Sequence, residues 1–191
     1  MKIVIIDNYD SFTYNLVHML EIVTGKRPDV FRNDQVSLSD LKAYDSIVLS
    51  PGPGIPEEAG LLKQVIKSYA RSKPIFGVCL GLQAITEVYG GGLINMDEVY
   101  HGIATEMRVI DSSEPLFKGV PENFSAGRYH SWVSDRSTFP EELAVTAIDD
   151  RGQIMALSHR EYPLKAVQFH PESILTPCGS KILENFVELV H

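Results

Sequence analysis

KPIFGVCLGLQAITEV, residues 73–88, changes its hydrophobic period half-way along, and that change decides the fold. Pro74 to Val78 is a short apolar run bounded by a proline, the pattern of a buried strand. From Leu80 the period becomes helical, because Leu80, Ala84, Ile85 and Val88 fall on one helical face. Cys79 sits at the join, inside Gly77-Val78-Cys79-Leu80-Gly81. This is the glycine-flanked strand–turn–helix elbow that presents a nucleophile, with cysteine where hydrolases often carry serine. Glycines on both sides suit a strained turn whose neighbours pass too close for a Cβ. A helix N-terminus also favours a thiolate, since unpaired N–H groups and the helix dipole stabilise negative charge. A buried structural cysteine is the competing reading.

Working back from the elbow, strands and helices alternate. Lys2 to Asp7 reads as an apolar strand. Phe12, Leu16, Met19, Leu20 and Val23 form a helical stripe, with Asp10 or Ser11 as N-cap and Gly25 as stop. Asp29–Arg32 is a short strand, Ser39–Ala43 one helical turn, and Ser46–Ser50 a third strand. That strand runs into the rigid loop Pro51-Gly52-Pro53-Gly54. Leu61, Leu62, Val65, Ile66 and Tyr69 then follow at helical spacing. The pattern predicts an α/β fold, a mainly parallel open sheet with helices on both faces. Asp7-Asn8-Tyr9, Pro51–Gly54 and Cys79 lie at carboxyl ends of strands, so one rim of the sheet collects them.

Working forward, the texture changes after Gly90-Gly91-Gly92. Glu106–Ile110, Leu143–Ile148, Ile154–Ser158 and Lys165–Phe169 are strand candidates without helices between them, which predicts antiparallel strands added to the sheet. Cys178–Val190 closes the chain as a packing helix. The 191 residues carry a formal charge of −8, with 22% charged and 44% hydrophobic residues, and fit one domain spanning 1–191. The charge argues against nucleic acid or an anionic membrane as partner. No apolar run approaches the length of a membrane span, and the N-terminus has no signal-peptide pattern. Two cysteines make no disulfide framework, so a cytoplasmic setting is expected.

A nucleophilic cysteine needs a base and a group to orient that base. Of the six histidines, His18 lies within the first helix and His191 at the terminus, so both read as structural or solvent-facing. His170 opens His170-Pro171-Glu172 after the strand AVQF. Read as extended chain, His170 and Glu172 point to one face, and Pro171 stiffens the backbone between them. A carboxylate beside the imidazole would fix its tautomer and stabilise the imidazolium. A surface turn is the alternative, and no ligand spacing for a metal accompanies the pair. Cys178 is a rival nucleophile that lacks the glycine elbow, and His130 is the next candidate base.

Gly77-Val78-Cys79-Leu80-Gly81-Leu82-Gln83 together with His170-Pro171-Glu172 resembles the class I glutamine amidotransferases over essentially the whole chain. Asp7 to Asn15 (DNYDSFTYN), Ser50–Gly54, Arg128-Tyr129-His130-Ser131 and His170–Thr176 resemble the glutaminase subunits of anthranilate synthase and of aminodeoxychorismate synthase. The chain departs from that pattern at His101-Gly102-Ile103-Ala104-Thr105, and at Trp132, where leucine is common. The resemblance implies a Cys79–His170–Glu172 triad, oxyanion donors from the N–H groups of Gly52 and Leu80, and glutamine held by Gln83, Ser131 and Trp132. It extends the substrate-binding set to Pro53 and Gly54. It further implies that L-glutamine is hydrolysed through a γ-glutamyl thioester with neither metal nor organic cofactor. Ammonia would then pass to a larger chorismate-binding synthase subunit, docked near Asn8, Tyr9, Asp10, Ser11 and Phe12. A stand-alone cysteine hydrolase and a non-catalytic partner-binding module on the same fold are the other classes.

Overall fold

The computed structural model describes residues 1–190, so the reading of His191 lies outside the described residues. The parallel half is built from β1 (Ile3–Asp7), α1 (Thr13–Thr24), β2 (Asp29–Arg32), β3 (Ser46–Leu49), α2 (Leu62–Tyr69), β4 (Ile75–Val78) and α3 (Leu80–Val88). The second half adds β5 (Leu93–Asn95), β6 (Ile103–Val109), β7 (Asn123–Arg128), β8 (Trp132–Ser134), β9 (Leu143–Asp149), β10 (Ile154–His159), β11 (Leu164–Val167) and α4 (Gly179–Glu188). Among the described residues, nine strands form one sheet in the order β2-β1-β3-β4-β11-β10-β9-β6-β7, and β5 pairs with β8 apart from it.

Strands β1, β3 and β4 are buried along their whole length, which is why they read as unbroken apolar runs. Alternate residues serve opposite faces. Ile3 and Ile5 join a core with Leu16 and Leu20 of α1 and Ile182 and Phe186 of α4. Val4 and Ile6 join a second core with Leu62 and Ile66 of α2 and Leu82 and Ile85 of α3. Phe76 stacks on Phe186 with ring centroids 5.1 Å apart. Burying a side chain of that size stabilises by roughly 1.5–3 kcal/mol. No helix among the described residues is long and apolar enough to cross a membrane.

Several sequence expectations shift. Gly25 does end α1, with φ 68° and its N–H on the Glu21 carbonyl at 2.8 Å. The N-cap, however, is Phe12, with no side-chain cap. Asp10 instead accepts from the Phe12 N–H at 2.7 Å, closing a local turn just ahead of the helix. Strand β6 starts at Ile103 rather than Glu106. Strand β7 is not predicted, because Phe124 is the one strand former in NFSAGR and the segment is held by pairing with β6. Strand β11 is antiparallel to β10 but parallel to β4, so it belongs to both halves of the sheet. The expected strand over Lys165–Phe169 ends at Val167, and His170 to Glu172 turn away from it.

Candidate active site

The carboxyl end of β4 delivers Cys79. Its backbone has φ 53° and ψ −100°, and among the described residues Tyr9 is the other non-glycine with positive φ. Such a conformation costs on the order of 1–3 kcal/mol and persists only where the surroundings impose it. Here the Cys79 N–H donates to the Val167 carbonyl at 2.8 Å, and its carbonyl accepts from the Gln83 N–H at 3.1 Å. A Cβ on Gly77 would lie 2.8 Å from the Gly81 backbone, and one on Gly81 would lie 3.0 Å from the Leu49 carbonyl oxygen. The flanking glycines therefore let β3, β4 and α3 meet beneath the sulfur.

His170 is 1% exposed and its Nδ1 lies 2.6 Å from Glu172 Oε1. The pair forms across a turn, with the Ser173 N–H on the His170 carbonyl at 3.2 Å, and not along extended chain as predicted. Pro171 cannot donate a ladder bond, so the chain does not resume as strand after His170, and the turn leaves both side chains buried. The residue is fixed from several sides. Its backbone N–H donates to the Gly127 carbonyl at 3.0 Å, its own carbonyl accepts from Thr176 Oγ1 at 2.7 Å, and the rings of Tyr129 and Phe12 pack 4.8 and 5.5 Å from the imidazole.

Burial works against a charged His170, but the Cys79 thiol and the Glu172 carboxylate outweigh it and raise the imidazole from 6.5 to about 10. His170 Nε2 makes no hydrogen bond among the described residues, although Cys79 is close enough to act on it.

His130 cannot serve as the alternative base. Its Nε2 accepts from Arg128 Nε at 3.0 Å and its Nδ1 lies 3.0 Å from the Trp132 carbonyl. Burial first, then the Arg128 charge, pushes its pKa down to about 3, so it is neutral. Cys178, half-buried at the start of α4, has its thiol pushed up by burial, the opposite of what a nucleophile needs.

A cavity of about 180 Å3 opens over the elbow. It brings together Cys79, Gly52, Pro53, Gly54, Gln83, Ser131 and Trp132, all seven expected at the site from the sequence. Leu80, 1% exposed, and the buried His170 and Glu172 do not line it. Tyr100, His101 and Tyr129 also line it and were not predicted as site residues. The second half supplies them through connections that no local pattern marks.

The loop after β1 divides into two kinds of residue. Tyr9 is 48% exposed and Ser11 is exposed, as a partner surface requires. Asn8, expected on that surface, is instead 2% exposed. Its Nδ2 donates to the Ser50 carbonyl at 2.8 Å and its Oδ1 accepts from Asn33 Nδ2 at 3.0 Å. A Cβ on Gly52 would stand 2.6 Å from the Asn8 Cβ, so Asn8 props the Ser50–Gly54 loop from below. Phe12 is half-buried against His170, and Asp10 is held in the local turn.

Residues 4–190 match the family model described as glutamine amidotransferase class-I. The chain is a class I glutamine amidotransferase. The amidotransferase is 46% identical over 188 residues to anthranilate synthase component 2 of Azospirillum brasilense, covering 97% of this chain and 94% of that one. It is 42% identical over 188 residues to aminodeoxychorismate/anthranilate synthase component 2 of Bacillus subtilis, covering 97% and 95%. It also aligns with 32% of the longer bifunctional protein TrpGD of Thermotoga maritima, at 40% identity. A crystal structure from Thermoplasma acidophilum, provisionally described as one subunit of a GMP synthase, superposes with a TM-score of 0.87, at 26% identity, covering 100% of this chain and 94% of that one. The amidotransferase fold that the sequence resemblance implied is therefore the observed one.

Proposed function

We propose that the chain is the glutaminase component of an anthranilate synthase, acting on L-glutamine through Cys79, His170 and Glu172. The observation that carries the reading is the strained Cys79 elbow set against the 2.6 Å His170–Glu172 pair. Cys79 attacks the side-chain amide of glutamine, and His170 takes the thiol proton and delivers it to the departing ammonia. Water then breaks the γ-glutamyl thioester and releases glutamate. The Gly52 and Leu80 N–H groups carry the oxyanion of each tetrahedral intermediate, and one such donor is typically worth ~10²–10³ in rate. Gln83, Ser131 and Trp132 line the cavity where the amino-acid end of glutamine is held. No step calls for a metal or organic cofactor, and the whole chain acts as one amidotransferase domain.

Ammonia in neutral water is mostly ammonium, which is not nucleophilic, so the product must pass to a second site sheltered from solvent. The partner in this reading is a larger chorismate-binding synthase subunit, forming a cytoplasmic heteromer in tryptophan biosynthesis. Tyr9 and Ser11 present a surface to it, while Asn8 and Phe12 on the same loop touch the Gly52 loop and His170. Docking on that loop can therefore order both the oxyanion donors and the base. The name of the Bacillus subtilis relative favours a second reading, in which the same glutaminase serves aminodeoxychorismate synthesis.

The test is product formation from chorismate by the co-purified subunits, supplied with glutamine or with ammonium salt. The expected outcome is anthranilate from either nitrogen source, with little glutaminase activity in the isolated chain and a marked rise on partner binding. Tyr9→Ala weakens that rise and the complex, and leaves ammonium-dependent synthesis intact. Full glutaminase activity without the partner would refute the reading and favour a stand-alone hydrolase; aminodeoxychorismate as product would establish the second reading.

A further inference from the structure

Gln168 belongs to no motif, yet it is fully buried beside the nucleophile, with its Nε2 3.5 Å from Cys79 Sγ and its Oε1 3.4 Å from Gln83 Nε2. The direction of this chain of hydrogen bonds follows from its far end. Asp149 and Gln153 hold the buried Arg128 guanidinium at 2.8 and 2.7 Å, and Arg128 Nε donates to His130 Nε2 at 3.0 Å. Neutral His130 therefore carries its proton on Nδ1 and donates it to the Trp132 carbonyl. That carbonyl can only accept, so the group of Gln83 lying 3.0 Å from it must be the amide nitrogen. With its nitrogen committed there, the Gln83 amide turns its second hydrogen to Gln168 Oε1. The Gln168 amide is thereby oriented, and its N–H faces the sulfur.

Resting on the proposed function, we infer that Gln168 is a positioning residue of the nucleophile, donating a hydrogen bond that favours the thiolate of Cys79 and linking it to the glutamine-binding residue Gln83. A donor to sulfur stabilises the anion more than the neutral thiol. An amide also fills the space without adding a charge that would compete with His170. The arrangement joins the two halves of the site. Gln83 lies on α3 beside the elbow, while Gln168 follows β11 and stands two residues before His170 on the same descending segment. Seating glutamine against Gln83 thus acts on an amide that already touches the reacting atom.

The experiment uses the full chain with Cys178→Ser, so that iodoacetamide reports Cys79 alone, and follows alkylation rate against pH by mass spectrometry. Gln168→Glu keeps the shape and replaces the donor by a carboxylate; Gln168→Met removes the donor without a charge. The expected result is an alkylation midpoint moved to higher pH in both, by about one unit or more for Gln168→Glu and by less for Gln168→Met. With the synthase partner present, glutamine-dependent kcat falls roughly tenfold, KM changes by less than about threefold, and ammonium-dependent synthesis is unaltered. Profiles that coincide with the parent's, with kcat within about twofold, overturn the inference. So does failure of both variants to fold, since Gln168 is then explained by packing; where one folds, it decides alone. A parent that alkylates normally but yields no glutamate with the partner refutes the proposed function and leaves the Gln168 comparison readable.

Discussion

The nucleophile and the base of this site are held in place by opposite means. Cys79 is positioned by backbone: a strand end, a helix start, two glycines and a φ of 53°. His170 is positioned by side chains and by distant strands, with Glu172, Tyr129, Phe12, Thr176 and Gly127 all touching it. The first arrangement is mostly local, with the Val167 carbonyl and the Leu49 backbone as its distant supports, and it resists drift because backbone would have to move with it. The second draws on contacts from all parts of the chain and can be retuned one contact at a time. A site built this way keeps its nucleophile constant and leaves its base adjustable, as the proposed activation by a partner would need.

The largest expected effect is at the backbone-held end. Cys79→Ser lowers glutamine-dependent turnover by at least ~10⁴-fold and leaves the circular dichroism spectrum and ammonium-dependent synthesis intact, whereas Cys178→Ser matches the parent. A reversed result would assign the chemistry to the wrong cysteine.

Next come the side chains around the base. His170→Ala costs ~10²–10⁴ in kcat/KM, and Glu172→Gln costs less, because an orienting carboxylate matters less than the base it orients. Glu172→Gln also removes one of the two partners that raise His170 to about 10, so the alkaline limb of its kcat/KM profile moves to lower pH. Equal and negligible losses in the two variants would break the assignment, and an unmoved limb would show that Glu172 does not tune the base.

A smaller effect separates strain from chemistry. Cys79→Gly abolishes turnover but relieves the positive φ, and denaturant unfolding should show a gain of about 1 kcal/mol. A loss of stability instead would mean that packing of the sulfur outweighs the backbone strain.

A further effect on stability is its pH dependence. His170 has a folded pKa raised from 6.5 to about 10, so its protonation stabilises the fold fully below pH 6.5 and progressively less as pH rises toward 10. Relative to His170→Asn, the parent should lose stability across that window; parallel curves would show that the imidazole does not gain its proton on folding.

How much of this was legible beforehand follows from the same contrast. Buried parallel strands carry unbroken apolar runs, so β1, β3 and β4 announce themselves, and a glycine on either side of Cys79 marks a turn that few other residues tolerate. The His170–Glu172 pair was visible because its members are two residues apart, although the turn that joins them was not. Strand β7 was hidden, since Asn, Ser and Gly in NFSAGR are held as strand by pairing with β6 rather than by their own preference. Asn8 shows the same limit: a polar residue on a loop looks like surface until the Ser50–Gly54 loop is laid across it.

The amino-acid order alone determined the alternating half of the sheet, the elbow and the identity of the chemical groups, because each depends on neighbours within one turn or one strand. Only the tertiary structure decided which groups support them. Gln168 meets Cys79 across 89 residues and Asn8 meets Ser50 across 42. Such pairings come from strand order: β11, reached late in the chain, lies beside β4 and sets Gln168 next to the elbow. Long-range register is fixed by the packing of whole faces, and no short stretch of sequence carries it.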